Sequence, residues 1–304
     1  MYNDLFTSLV TYISSSKSHN DTLRASVLLA LLSTYNKHES ANPYQNRLRD
    51  FINEDVMQKI IECVGTVARS SRDTYTAIQD DHVEGLLGGV SKMVGGYVPF
   101  GLAARLGLSG SKTPTPPPVE DIDEALGKLF YYLPRNISDS RPDPDTAILL
   151  MVYEFCHTNK AFSLVFIRSK QSSGNETPFG LYLSLASYLT TQQSRALRAT
   201  LYARLTLLNL RNLIDDPSLM ALLVHEDTKS QIRICRQRQP FLPAVTKERK
   251  LLEGILDVCI AGIDHNLRRR LDVEFYSLLL FVPRNLIEDF SWLLFPKSFI
   301  ITGV

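Results

Sequence analysis

Cysteine, histidine and paired carboxylates are the residues from which catalytic or metal chemistry would be built, and in this chain they are scattered. The four cysteines, Cys63, Cys156, Cys235 and Cys259, have neither CxxC nor zinc-knuckle spacing. Cys156 and His157 are neighbours, and on a helix neighbouring side chains point about 100° apart, so the pair reads as a core cysteine beside a capping histidine rather than two ligands of one metal. The acidic groups Asp80 with Asp81, Asp121 with Asp123 and Glu124, and Asp215 with Asp216 fall at expected helix ends. Acids at a helix start complement its dipole, and general acid–base work would need an apolar pocket and a positioned partner that nothing in the sequence supplies. The patterns GxSxG, HExxH, GxxxxGK[ST] and GxGxxG are absent. Gly127-Lys128 comes nearest to a phosphate loop, but lacks the earlier glycine and the following hydroxyl. No catalytic, cofactor-binding or metal-binding residue is assigned, and the expectation is a protein that is not an enzyme.

Two segments instead have the composition of contact surfaces. In 85–97, GLLGGVSKMVGGY, the residues Leu86, Leu87, Val90, Met93, Val94 and Tyr97 recur on one helical face, while glycine, Ser91 and Lys92 fill the other. A helix with a small, weakly charged polar face resembles lipid-packing sensors. Each internal glycine costs about 1 kcal/mol relative to alanine, so such a helix is marginal alone. The competing reading, close packing against a neighbouring helix, is favoured. In 229–250, Lys229, Arg233, Arg236, Arg238, Lys247, Arg249 and Lys250 stand against Glu248 alone. This excess suits anionic headgroups, each well-placed basic residue contributing about 1 kcal/mol; a solvated loop fits the stretch equally well. Nucleic acid is disfavoured, because Phe241 is the one aromatic there that could stack on a base. Arg268, Arg269 and Arg270 read as a helix C-terminal charge cluster.

Nearly everywhere else apolar residues recur with helical period, and β-branched alternation is scarce, so the fold class is all-α. The stripes are Leu23, Val27, Leu28, Leu31 and Tyr35; Ile122, Leu126, Leu129 and Leu133, ended by Pro134; Ile148, Val152 and Phe155; Leu197, Leu201, Leu205 and Leu208; and Leu251, Ile255 and Cys259. They predict roughly ten helices of ordinary length. Leu28, Leu31, Tyr35, Val152, Leu205, Leu208, Ile255 and Cys259 are the expected core. The proline-rich 107–119 reads as an exposed linker. It separates an N-terminal helical block, 1–106, from a second block, 120–290, and an apolar tail, 291–304, follows. That tail is expected to mark a partial chain. Antiparallel helices that each bury one stripe build an armadillo-like α-solenoid, although no regular 34- or 42-residue repeat is visible.

Composition narrows the setting. Lys and Arg total 33 against 32 Asp and Glu, so no overall field draws the chain to nucleic acid or to a membrane. Scattered cysteines and the absence of a signal sequence after Met1 point to a reduced, cytoplasmic protein in which the sequons at Asn136 and Asn175 stay unmodified. The longest apolar stretches are too short or too interrupted to cross a bilayer.

The segment 27–44, VLLALLSTYNKHESANPY, carries a fairly specific LLALLxxYxKxESxNPY pattern, and here the chain resembles the armadillo-like helical domain-containing protein 3 family. The likeness continues in order through 85–97, through 146–162 (TAILLMVYEFCHTNKAF) and through 251–287. Members of that family are much longer. The resemblance implies a non-enzymatic helical scaffold that supports Golgi maintenance and secretion. It implies binding to phosphatidylinositol 4-kinase beta and the Golgi Arf exchange factor, and peripheral contact with anionic Golgi membrane. A helical lipid-binding or lipid-transfer protein is the alternative. From the sequence, the residues proposed for membrane or partner contact are Leu86, Val90, Met93, Tyr97, Arg233, Arg236 and Arg238.

Overall fold

The structure, a computed structural model, describes residues 5–35, 42–95, 144–170, 176–195, 197–236, 240–267 and 272–294. The linker 107–119 and the stripe from Ile122 to Leu133 lie outside them, as does the tail 291–304 beyond Leu294, its first four residues being helical. Secondary structure among the described residues is helical, apart from one isolated antiparallel bridge between Ser230 and Arg249. The α-helices are α1 (Leu5–Ser15), α2 (His19–Thr34), α3 (Pro43–Arg49), α4 (Glu54–Gly95), α5 (Ile148–Thr158), α6 (Lys160–Arg168), α7 (Pro178–Gln192), α8 (Leu197–Ile214), α9 (Pro217–Val224), α10 (Leu251–Asn266) and α11 (Val273–Leu294). One compact unit comprises 1–73 and 142–304; the second, 74–141, is described only as the continuation of α4 to Gly95.

Helix starts follow from local chemistry. Asn42-Pro43, Thr177-Pro178 and Asp216-Pro217 each place a side-chain oxygen on the first free amides and a proline where the helix needs no N–H. Asn42 does more than cap α3. Its amide nitrogen donates to the Leu32, Ser33 and Tyr35 carbonyls at 2.8–2.9 Å, closing the C-terminus of α2 with the side chain that opens α3. Asn159 does the same between α3 and α6: Nδ2 donates to Leu48 O and Phe51 O, and Oδ1 accepts from Phe162 N.

The core is centred on α7, every residue of which is buried. No charged residue occurs in it, and its Ser187, Thr190 and Thr191 hydroxyls are satisfied by carbonyls of their own helix. Aromatic rings link α7 to α6 and α5: Phe155 stacks on Phe162 at 4.3 Å, Phe162 tilts against Phe166, and Phe166 meets Tyr182 edge-on.

Around α7 the helices stack in register. Gly254 lies against Leu183 and Asn266 donates to Thr190 O, so α10 runs parallel to α7. Arg204 pairs with Asp272, the Arg211 guanidinium covers the Phe281 ring at 4.3 Å, and Asn285 donates to Asp215, so α11 runs parallel to α8. The hairpin α10–α11 thus repeats the placement of α7–α8.

The burial pattern corrects part of the expected core. Val152, Ile255 and Cys259 are buried as expected. Leu28, Leu31 and Tyr35 are not: Leu31 is 53% and Tyr35 72% exposed, while Ser26, Leu29, Ala30 and Ser33 face the interior. Leu205 and Leu208 are half-buried, because Ala203, Thr206, Leu207 and Leu210 form the inner face of α8. On α2 the small side chains Ala25, Ser26, Ala30 and Ser33 fill much of the packed face, and on α8 Ala203 and Thr206 lie among the buried leucines, allowing both helices a close approach to α5.

Candidate interaction surfaces

Reactive side chains are withdrawn from solvent. All four cysteines are free and buried. Burial pushes the thiols of Cys63, Cys156 and Cys259 up to about 12 and that of Cys235 to about 11, so they carry no thiolate near neutrality. Among the described residues no group of three or more His, Cys, Asp or Glu side chains is placed to hold a metal ion.

Of the basic stretch 229–250, the described residues at its start run along α7 and the first turn of α10. Ser230 Oγ accepts from Thr177 Oγ1 at 2.9 Å, Ile232 sits over Gly254, and the Cys235 amide donates to Ser187 Oγ at 2.8 Å. An added Cβ at Gly180 would stand 2.7 Å from Ser230 Oγ, which explains glycine at that contact. Its charges are partly met from outside the stretch. Lys229 and Lys250 both grip Glu226, whose carboxyl these contacts pull down to about 2, and Arg249 pairs with Asp257 at 2.6 Å. Arg233 donates to the Leu242 and Pro243 carbonyls, closing the segment's own turn. Arg236 remains exposed; Arg238 lies outside the described residues. The free positive charge is therefore smaller than the sequence count.

For the glycine-rich segment, the structure continues α4 through Leu86, Val90 and Met93 to Gly95, while their side chains and Tyr97 lie outside the description.

Periodicity alone misses the most open apolar surface on α2. Leu23, Val27, Leu28 and Leu31 form one wall of a groove of about 610 Å³, with Val67 and Ser70 of α4 opposite. Arg24 and His19 stand on the α2 side, and Asp145 faces them from the turn that leads into α5. An apolar floor with charged residues at its margins matches the groove type that receives an amphipathic helix. The sequence signal was present in VLLALL, which supplies more leucines than one buried face can hold.

The chain is similar to a UPF0588 membrane protein of Schizosaccharomyces pombe, with 28% identity over 290 residues covering 94% of this chain. It spans 43% of that protein's length. No family model matches the chain. No solved structure matches it. Among the described residues no helix is long and apolar enough to cross a membrane.

Proposed function

We propose that this chain is a non-enzymatic, armadillo-like helical scaffold that binds protein partners and associates peripherally with Golgi membrane. The observation that carries the reading is the open α2 groove: Leu28 and Leu31 stay uncovered within the same 27–44 segment that bears the family resemblance. Stacked hairpins supply a rigid support for such a groove, as in α-solenoids. The relative's description as a membrane protein, together with the lack of a spanning helix among the described residues, supports attachment at the surface of the bilayer. By resemblance, the partners are phosphatidylinositol 4-kinase beta and the Golgi Arf exchange factor. The lipid-transfer alternative is less favoured because Leu28 and Leu31 in the groove are open to water rather than enclosed.

Affinity capture of the full-length protein from cells tests the reading. The wild type is expected to recover the lipid kinase, and Leu28→Asp with Leu31→Asp is expected to lose it with an unchanged thermal melt. Failure of the wild type to recover either partner would overturn the scaffold assignment.

A further inference from the structure

We infer that the outer face of the α10–α11 hairpin is the seat of a further helical hairpin of the full-length protein, stacked on α10–α11 as α10–α11 is stacked on α7–α8. The inference rests on the helix stacking and stands whichever partners the α2 groove takes.

The inner side of the hairpin is closely packed. Asn266 of α10 donates to Thr190 O of α7 at 3.0 Å, and an added Cβ at Gly262 would stand 3.5 Å from Thr190 and 3.1 Å from Leu279 of α11. On the side turned from α7, roughly 150° round the helix from Gly254, Val258, Gly262 and Asn266, α10 carries Leu256, Ile260, Ile263 and Leu267. Their spacing of i, i+4, i+7 and i+11 makes a second apolar stripe on the same helix. Ile260 is 60% and Leu267 66% exposed, and Leu256 and Ile263 are half-buried. On α11, Phe281 and Asn285 face Arg211 and Asp215 at the end of α8. Val273, Tyr276 and Leu280 recur on the side turned from that contact, Val273 68% and Leu280 56% exposed.

Both helices of the hairpin are thus apolar on two sides. A helical pair that closes a stack carries a polar outer face, because nothing covers it, whereas a pair inside the stack is apolar on both faces. The charged residues Glu253, Asp257 and Asp264 of α10 stand beside its outer stripe rather than on it, and Asp257 is drawn to Arg249 at 2.6 Å. The α10–α11 hairpin is therefore built as an inner layer. Continuity with the α7–α10 and α8–α11 contacts defines the occupant: two antiparallel helices, the first parallel to α10 and the second to α11, each burying one stripe against this face. The Schizosaccharomyces pombe relative, of which this chain spans 43%, has the length to hold such a hairpin.

Thiol labelling with a maleimide, in the 304-residue chain and in the full-length protein, tests the assignment, since the four native cysteines are buried. In the 304-residue chain Ile260→Cys and Leu280→Cys are expected to react as fast as the control Ile52→Cys, whose position is 83% exposed and lies before α4. In the full-length protein both are expected to react about tenfold more slowly or less, with the control unchanged. Ile260→Gln with Leu280→Gln is expected to lower the melting temperature of the full-length protein and to leave that of the 304-residue chain unchanged, because both side chains are there already in water. Equal labelling at the two lengths, or an equal effect of the glutamines on both melts, would overturn the further layer. Slow labelling in the 304-residue chain that speeds up on dilution would replace the hairpin by a second copy, and slow labelling at every dilution would replace it by a segment of this chain. Protection of the full-length protein only when phosphatidylserine vesicles are added would replace it by a membrane.

Discussion

Arg72 Nη1 lies 2.8 Å from Glu176 Oε1, tying α4 to the residue that precedes the N-cap of α7. The arginine side chain is 2% exposed, and its Nε is held by the more open Asp73 at 2.9 Å. Glu176→Ala would take one carboxylate from a buried guanidinium that still has Asp73 beside it. Removing one member of a buried pair costs about 3–5 kcal/mol, and the remaining acid should hold the loss here to about 2–3 kcal/mol. Chemical denaturation would check this; a loss within error would show that water reaches the arginine.

Asn42 separates two functions of one side chain, because its oxygen caps α3 and its nitrogen closes α2. Asn42→Asp keeps the acceptor and puts a negative charge against three carbonyls. The expected cost is about 1–3 kcal/mol, larger than for Asn42→Ser, which keeps a cap without the charge. Equal melting temperatures for the two variants would count against the carbonyl contacts.

Asp216 gives a prediction in pH. Partial burial opposes its ionisation, but Lys160 at 2.8 Å, the Ser218 hydroxyl and the Ser218 and Leu219 amides outweigh it and pull the carboxyl down to about 2. Because the folded value is lowered, the stabilisation is present above the ordinary carboxylate range and fades as pH falls from about 4 to about 2. Asp216→Asn keeps a good cap, so near neutrality it should cost only about 1 kcal/mol or less at this partly solvated site. The difference from wild type should vanish in acid, which denaturation at a series of pH values would detect.

The cysteines predict a clean chemical result. With all four thiols buried and their ionisation suppressed, a thiol reagent at neutral pH should label the folded chain only at the rate of unfolding. Fast labelling of any single cysteine would identify a locally open helix.

How much of this was legible depends on what each residue type reports. The α10 stripe was read correctly because Leu251, Ile255 and Cys259 recur one turn apart on a face free of charge, with Glu253, Asp257 and Asp264 elsewhere. On α2 the leucines run round the helix, and the face that packs is the one with Ser26, Ala30 and Ser33. Periodicity ranks faces by hydropathy, whereas close packing selected the smaller side chains. The charge count over 229–250 could not include Glu226 and Asp257, which fold back on it from outside the segment.

The burial of α7 also fixes how the molecule exchanges its protons with solvent. A helix covered on every side, with its hydroxyls turned onto its own carbonyls, has no route to water short of opening the whole stack. Its amides should therefore retain hydrogen in deuterated buffer for as long as the fold persists, while the outward turns at 197 and 267 exchange early. Isotope retention in α7 would then report the stability of the whole unit, and any ligand that lengthened it would have to bind the folded chain in preference to the unfolded one.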